Sequence, residues 1–130
     1  MKTLLTLGFA LLATVMIGQE DISAKVAGAL SKGNAALIGS YLVPSVDLTI
    51  LDDEDMYPKD QVVRKLELFF AKNPPISFDI KHKGTSKLDD HYRIGDLVTK
   101  TGKYRVTFFM KKGQDGMKIK QLRIEDYNGE

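Results

Sequence analysis

The apolar residues that follow position 20 have the spacing of two short helices. Ile22, Val26 and Leu30 recur every four residues, with Asp21 before them as an N-cap and Gly33 after them as a helix stop. A second helix follows directly. Its N-cap, apolar stripe and terminating proline are Asn34, then Leu37, Ile38, Tyr41 and Leu42, and then Pro44. This pattern predicts a hairpin of two helices.

From Val46 the spacing of apolar residues changes from helical to alternating. Val46, Leu48 and Ile50 alternate with polar residues, which predicts a strand. The acidic run 52–55 then predicts a turn into a short partner strand at Met56-Tyr57. An EF-hand loop beginning at this run would need Gly and Glu at positions 57 and 63, where the chain has Tyr and Val.

The longest predicted helix begins at Pro58, because the missing N–H of proline is tolerated at the first helical position. It ends before Asn73-Pro74-Pro75, because proline cannot continue the hydrogen-bond ladder. Its apolar face consists of Val62, Val63, Leu66, Phe69 and Phe70. This face predicts a helix packed on the core of the domain.

After Pro75 the sequence predicts only antiparallel strands. The first has Ile76, Phe78, Ile80 and His82 on one face. Three further strands follow at 92–100, 103–111 and 117–127, with turns at 101–102 and 114–116. Changes of parity predict bulges at Gly95 and near Lys120-Gln121. Helices followed by a run of strands predict an α+β fold.

The N-terminus has the pattern of a cleavable secretory signal peptide. Lys2 carries the positive charge, and the stretch from Leu4 to Ile17 contains no charged residue. This stretch is shorter than the roughly 20 apolar residues of a membrane-spanning helix, so we expect no membrane anchor after cleavage. We expect cleavage after Gly18 or Gln19, which leaves a single domain at residues 19–130 that is exported to the periplasm or secreted.

The amino-acid composition excludes several kinds of chemical site in the exported domain and shows an uneven distribution of charge. The chain contains no cysteine, so it has no disulfide, no thiolate metal site and no lipid-modified cysteine. Residues 19–80 contain 6 Lys/Arg and 10 Asp/Glu, whereas residues 81–130 contain 12 and 7. This asymmetry fits either an anionic partner or lysines on the outer face of strands. Export makes nucleic acid an unexpected partner.

The order of elements resembles the nuclear transport factor 2-like (NTF2-like) superfamily, also called the cystatin-like cone. More closely, the chain looks like a family of small exported Bacteroidetes proteins labelled a domain of unknown function. The stretches that carry this resemblance are Tyr57-Pro58, 69–75, 92–95 and 119–125. The resemblance implies a curved antiparallel sheet wrapped around the long helix, with a cone that is either an active site or filled by side chains. The family itself implies no activity.

The resemblance also directs attention to acid–base residues. Ketosteroid isomerase-like and scytalone dehydratase-like members use carboxylate or histidine chemistry, and this chain contains only His82 and His91. His82 is the better candidate because alternation places it beside apolar residues, and Asp96 could share its face. The alternative is a histidine at the margin of the sheet. His91 beside Asp89 and Asp90 lacks ligand spacing, so we expect a solvated loop and no metal site.

Eight residues are candidates to line a ligand cavity, although an ordinary core uses the same types. They are Tyr41, Phe69, Phe70, Phe78, His82, Tyr92, Tyr104 and Phe108. Our first hypothesis is a non-catalytic binding module without a cofactor, for a small apolar or amphipathic ligand in the cone or a protein partner on the sheet. The second is an isomerase- or dehydratase-like enzyme using His82 and Asp96. The third is a homodimer through the sheet face, which an outward apolar stripe such as Leu97, Phe109 and Leu122 would favour.

Overall fold

The computed structural model describes residues 21–128, so the predicted signal peptide at 1–18 lies outside the described residues. Three helices and six strands follow one another along this part of the chain. They are α1 (Ser23–Lys32), α2 (Ala35–Gly39), β1 (Leu42–Ile50), β2 (Asp53–Pro58), α3 (Lys59–Lys72), β3 (Pro75–Thr85), β4 (His91–Thr99), β5 (Gly102–Gly113) and β6 (Gly116–Asp126). Within the described residues, no helix has the length and apolar character needed to span a membrane.

The helical hairpin is present, with one change at its start. Gly33 ends α1 in the left-handed conformation (φ 68°), and its N–H reaches the carbonyls of the last turn. The Asn34 side chain accepts a hydrogen bond from the Leu37 N–H at 3.1 Å and so caps α2. The predicted N-cap Asp21 is wrong, because Ile22 occupies that position. Asp21 instead accepts hydrogen bonds from Ser23.

The second helix is shorter than predicted, because the chain is already extended at Leu42. Its last turn closes where the Ser40 hydroxyl donates to the Leu37 carbonyl at 2.6 Å. Leu42 then pairs with Ile119, so Pro44 lies inside β1 and does not end a helix. Proline is tolerated there because the pairing of β1 with β6 skips from Leu42 to residue 47.

The predicted β1–β2 hairpin is present, but β1 begins at Leu42 and not at Val46, and β2 begins at Asp53, inside the predicted turn. The long helix agrees with prediction to within one residue at each end. Leu51 and Asp52 connect the two strands, and Leu51 has a positive φ of 55°. Pro58 is the N-cap of α3 and not its first helical residue. The helix ends at Lys72, directly before the predicted stop at Asn73-Pro74-Pro75.

The strands form one curved six-stranded sheet in the order β2-β1-β6-β5-β4-β3. All neighbouring strands are antiparallel except β1 and β6, which are parallel. The expectation of a fully antiparallel sheet is therefore corrected by one pair. The parallel pair joins the first and the last strand of the described residues, which lie side by side in the sheet.

One face of the sheet, the inner face, packs against the helices and holds the core. Helix α3 contacts β1 and β2, and α1 contacts β3 and β4. The cone is filled by side chains, because the inner-face residues and the facing residues of the helices are buried. These include Val26, Leu30, Ile38, Val46, Leu48, Leu66, Phe69, Phe70, Phe78, Leu97, Val106, Phe108, Met110, Ile119, Leu122 and Ile124.

The opposite, outer face of β4, β5 and β6 carries half-buried polar, aromatic and aliphatic residues. Directly paired residues show which side chains share this face. They include Tyr92, Ile94, Asp96, Val98, Arg105, Thr107, Phe109, Gln121, Arg123 and Glu125. A predicted bulge is confirmed at Lys120, which has no partner between the pairs Phe109–Gln121 and Met110–Ile119.

Candidate functional site

A bulge in β3 decides where His82 lies. Ile80 pairs with Gly95 and His82 pairs with Ile94, so Lys81 is an extra residue in β3. An extra residue reverses the parity of the strand. The prediction that His82 shares the face of Phe78 and Ile80 is therefore wrong. His82 is exposed on the outer face of the sheet.

The same bulge brings His82 and Asp96 to one cavity, which we call the outer-face cavity. It has a volume of about 350 Å³. Its lining residues are Lys81, His82, Ile94, Asp96, Arg105 and Tyr127. The expectation that His82 and Asp96 share a face is thus correct, although the face is the outer one. The predicted bulge at Gly95 is misplaced, because β4 pairs with β5 without interruption and the extra residue lies across from it in β3.

The aromatic candidates separate into a core group and an outer group. Phe69, Phe70, Phe78 and Phe108 are buried in the core, and Tyr41 and Tyr104 are half-buried against it. Tyr92 lies on the outer face, opposite Phe109, with the two ring centroids 5.6 Å apart. The eight candidates therefore do not surround one cavity.

A second cavity lies where the cone opens between α3 and the β1–β2 turn, and we call it the mouth cavity. It has a volume of about 280 Å³. Its lining residues are Ile50, Leu51, Asp53, Lys65, Leu68, Phe69, Lys72 and Asn73. Leu51 and Leu68 are 39% and 65% exposed, so this cavity has an accessible apolar wall.

The polar side of the mouth cavity is held by three interacting side chains, the Asp53 triad. Asp53 accepts a hydrogen bond from the Tyr57 hydroxyl at 2.5 Å and from the Lys65 ammonium at 2.8 Å. The Lys65 ammonium also lies 4.5 Å from the centroid of the Tyr57 ring. Each member therefore contacts the other two, which fixes the position of the charged groups.

The triad shifts the pKa of each member away from neutrality. Hydrogen bonds from Lys65 and then Tyr57 lower the pKa of Asp53 below its ordinary value. The hydrogen bond to Asp53 raises the pKa of Tyr57, and the bond to the same carboxylate raises the pKa of Lys65. At neutral pH the triad therefore holds a carboxylate, a neutral phenol and an ammonium.

Asn73 fixes the other end of the mouth cavity. Its side-chain amide donates to the Phe69 carbonyl at 2.9 Å. Its side-chain oxygen accepts hydrogen bonds from the hydroxyls of Thr101 and Tyr104. Because the Tyr104 ring also packs edge-on against Phe69 at 5.2 Å, the end of α3 is held against β5.

Residues 23–125 match the family described as a domain of unknown function, DUF4783. The chain belongs to the DUF4783 family. A DUF4783 family protein from Bacteroides fragilis YCH46 has a TM-score of 0.76 and 30% identity, over 82% of this chain and 100% of that chain. One from Bacteroides ovatus ATCC 8483 has a TM-score of 0.76 and 31% identity, over 85% and 99%.

The fold of this DUF4783 chain is also NTF2-like, as the order of elements indicates. A protein of the NTF2-like family from Streptomyces avermitilis has a TM-score of 0.55 and 12% identity, over 79% of this chain and 89% of that chain. At this identity the likeness concerns the fold alone. No curated protein matches the chain.

Two other expectations are corrected in this DUF4783 chain. Asp90 does not lie in a solvated loop, because it is 7% exposed and forms an ion pair with Lys120 at 2.5 Å. The suggested outward stripe does not exist, because Leu97 and Leu122 point into the core and Phe109 points outward. Leu122 pairs with the residue before Phe109, and neighbouring residues of a strand point to opposite faces. Leu122 and Phe109 therefore lie on opposite faces of the sheet.

The mouth cavity was missed by reasoning from the sequence, although part of its signal is present there. Lys65, Leu68, Phe69 and Lys72 follow the spacing i, i+3, i+4 and i+7, which marks one face of a helix. Only Phe69 on this face was expected to be buried. An exposed leucine between two lysines at that spacing indicates a helix face with both apolar and cationic groups.

Proposed function

We propose that this chain is an exported, non-catalytic binding module that takes a small amphipathic anion in the mouth cavity. The observation that carries the proposal is the composition of this cavity, which joins an exposed apolar wall to a fixed set of charged groups. Ligand sites commonly have this form, with mostly apolar walls and a few placed polar groups. The mouth cavity lies beside the filled core, where the cone opens.

The apolar wall would receive the hydrocarbon part of the ligand. Leu51 and Leu68 expose apolar surface at the cavity, beside the edge of Phe69. Leu51 is held in a left-handed conformation that costs a residue with a Cβ about 1 kcal/mol. Its N–H donates to the Ile124 carbonyl at 2.9 Å, which anchors the turn in that conformation. Backbone strain of this kind is often found at ligand sites.

The charges at the cavity favour an anionic head group. The charge of Lys65 is balanced by Asp53, with which it forms an ion pair. Lys72 forms no ion pair with any residue in the range 21–128. The lining therefore has one excess positive charge, at the last turn of α3. A carboxylate bound near Lys72 would leave its hydrocarbon chain within reach of Leu68.

The ionisation of the Asp53 triad supports binding over acid–base catalysis at this cavity. A general acid or base works best when its pKa is near the working pH. The pKa of Asp53 is lowered, and those of Tyr57 and Lys65 are raised. All three shifts move the groups away from proton exchange near pH 7.

The proposal is tested with decanoate as the probe, by NMR titration of the backbone amides. We expect shifts that centre on Leu51 and Leu68, and tighter binding of decanoate than of the cation decyltrimethylammonium. Leu68→Ser should weaken decanoate binding about tenfold, the loss expected from about 1.4 kcal/mol of apolar burial. Leu88→Ser is the matched control, because Leu88 is 81% exposed and lies outside the cavity. Equal affinities for both variants would remove the mouth cavity as the site.

Export is the second part of the proposal, and it rests on the sequence of residues 1–18. Native protein from the cell envelope or the medium should have its N-terminus at Gln19 or Glu20. Mass spectrometry of the N-terminal peptide provides the measurement. Membrane-embedded protein that retains Met1 would contradict the proposal.

The alternative of an isomerase- or dehydratase-like enzyme is favoured by one observation. His82 and Asp96 line the same outer-face cavity, as an acid–base pair would require. Such an enzyme should exchange the α-protons of a cyclic ketone for deuterium faster than buffer does. An exchange rate equal to that of buffer, followed by NMR, would eliminate this alternative.

A further inference from the structure

Asp53 sets the charge that the mouth cavity offers to a ligand. The lining of this cavity contains two ammonium groups, on Lys65 and Lys72, and one carboxylate, on Asp53. The Asp53 carboxylate forms an ion pair with the Lys65 ammonium at 2.8 Å, and this pairing cancels the charge of Lys65. The lining therefore has a net charge of +1, although it holds two ammonium groups.

Both oxygens of the Asp53 carboxylate are bound to the protein. One oxygen accepts the hydrogen bond from Lys65, and the other accepts the hydrogen bond from the Tyr57 hydroxyl at 2.5 Å. These bonds, from Lys65 and then from Tyr57, lower the pKa of Asp53 below its ordinary value. Asp53 therefore stays ionised at neutral pH, and the charge of Lys65 stays neutralised.

Lys65 remains within reach of a ligand despite its ion pair. An ammonium group has three N–H donors, and Lys65 uses one of them on Asp53. The same ammonium lies 4.5 Å from the centroid of the Tyr57 ring. The Lys65 side chain is 29% exposed and lines the cavity. Removal of the Asp53 charge would therefore give the cavity a second cation without any movement of α3.

Two further carboxylates are placed near the mouth cavity by their neighbours. Asp52 follows Leu51 in the β1–β2 turn, and Asp126 pairs in the sheet with Tyr104, whose hydroxyl binds Asn73. Both carboxylates are exposed and lie outside the lining, so solvent and salt screen their charges. They add a weak repulsion that grows with the negative charge of a ligand, in the same direction as the effect of Asp53.

We propose that Asp53 restricts the mouth cavity to amphipathic ligands with a single negative charge. Asp53 neutralises Lys65, and Lys72 is left to balance the head group of the ligand. A dianion would bring a second negative charge that no cation of the lining balances, and the burial of an unpaired charge is unfavourable. This inference rests on the function proposed for the cavity, and it names the class of ligand that the cavity selects.

Decyl sulfate and decyl phosphate are the probes for NMR titration, at concentrations below those at which they form micelles. They share a decyl chain and a tetrahedral head group, but at about pH 8 the sulfate carries one negative charge and the phosphate about two. We expect both probes to shift the backbone amides of Leu51 and Leu68, and wild-type protein to bind the sulfate more tightly.

Asp53→Asn should change this preference, because it frees the charge of Lys65. Electrostatic attraction is proportional to the charge of the ligand, so the dianion gains more than the monoanion. We expect decyl sulfate to bind about threefold more tightly and decyl phosphate about tenfold more tightly than to wild type. The ratio of the two affinities should therefore move about threefold toward the phosphate.

Glu54→Gln is the matched control, because it removes the same charge from the next residue of β2. Glu54 is exposed and pairs with Thr49 on the outer face, whereas Asp53 pairs with Ile50, which packs against the core. Glu54→Gln should leave the ratio of the two affinities unchanged. Asp53→Glu keeps a carboxylate at the position and should retain the wild-type ratio.

The side chain of Lys65 provides a readout that needs no ligand. The hydrogen bond to Asp53 raises the pKa of Lys65, so NMR titration should give a lower pKa for Lys65 in Asp53→Asn and an unchanged pKa in Glu54→Gln. A Lys65 pKa that does not respond to Asp53→Asn would show that Asp53 does not act through Lys65.

The titrations separate the failure of this inference from the failure of the binding function. If both probes shift Leu51 and Leu68 but Asp53→Asn and Glu54→Gln leave the same ratio of affinities, selection by Asp53 is overturned and the binding function stands. A wild-type preference for decyl phosphate at the same residues has the same meaning. Absence of shifts at Leu51 and Leu68 with either probe would overturn both the binding function and the selection.

Discussion

Phe108→Ala should lower the free energy of unfolding by about 3–5 kcal/mol, the usual cost of replacing a buried aromatic ring by a methyl group. Phe108 is fully buried at the centre of the inner face, where it pairs with Arg93 on one side and Leu122 on the other. The core is filled around it, so the surrounding side chains have little freedom to close the cavity that the substitution leaves. Chemical denaturation measures the change.

Phe109→Ala is the matched control for this prediction. Phe109 is the next residue of the same strand, but it is half-buried on the outer face, where its ring contacts Tyr92. Both substitutions reduce β-propensity equally, so the difference between them reports burial. We expect a loss of about 1–2 kcal/mol for Phe109→Ala. Losses that agree within about 0.5 kcal/mol would show that the assignment of the two faces is wrong.

Helix and strand identities could be predicted from the sequence where one periodicity continued over many residues. The stripe of the long helix and the alternation around Phe108 both place the correct residues in the core. The Asn34 cap and the stop at Gly33 are also confirmed, because each is a local interaction between neighbours in the chain. Local signals of this kind do not depend on what the rest of the chain does.

The placement of single residues on strand faces was predictable only between bulges. Ile76, expected on the face of Phe78, is unpaired where the register of β3 with β4 first shifts, and it is 59% exposed. Lys81 adds one residue to β3, and this reverses His82 from the inner to the outer face. Nothing in the local alternation of Phe78, Ile80 and His82 signals the change. The bulge depends on the register with β4, which is a non-local property of the sheet.

The same limit explains the helix that was predicted to continue to Leu42. Leu37, Ile38, Tyr41 and Leu42 have helical spacing, but Leu42 gains a partner in β6, about 77 residues later in the chain. Pairing with a distant strand overrides a weak local helical signal. The presence of Pro44 then has two readings from the sequence, a helix stop or an irregular strand, and only the sheet distinguishes them.

The candidate sites show the same difference between local signals and contacts between distant segments of the chain. His82 and Asp96 line one cavity, as expected, but they do so on the outer face, because the bulge at Lys81 reverses His82. The Asp53 triad was not predicted, because it joins Asp53 and Tyr57 of β2 to Lys65 of α3. The sequence places Asp53 in an acidic turn and Tyr57 in the short strand after it, and it gives neither a partner in the long helix. The helical partner becomes apparent only when α3 packs against the hairpin.

Gly95 illustrates how a glycine can be required by a neighbouring side chain and not by its own conformation. Gly95 is buried on the inner face, where it pairs with Ile80 and Val106. A Cβ atom there would lie 2.5 Å from Cζ of the Phe78 ring and would also meet the backbone carbonyl oxygen of Asp79. The ring and the strand backbone would both have to move.

Gly95→Ala should therefore destabilise the protein by about 1–3 kcal/mol, the typical cost of overpacking a core. Gly28→Ala is the control, because nothing lies within 4 Å of a Cβ atom at Gly28 in the exposed part of α1. That substitution should stabilise the protein by about 0.5–1 kcal/mol through helix propensity. In a Phe78→Leu background the cost of Gly95→Ala should fall by about 1 kcal/mol, because the ring atom is gone and the two sites are in contact. Chemical denaturation of Gly28→Ala, Gly95→Ala, Phe78→Leu and the Phe78→Leu/Gly95→Ala double variant measures these changes in stability. A Gly95→Ala protein as stable as wild type would contradict the close packing of Phe78 on β4.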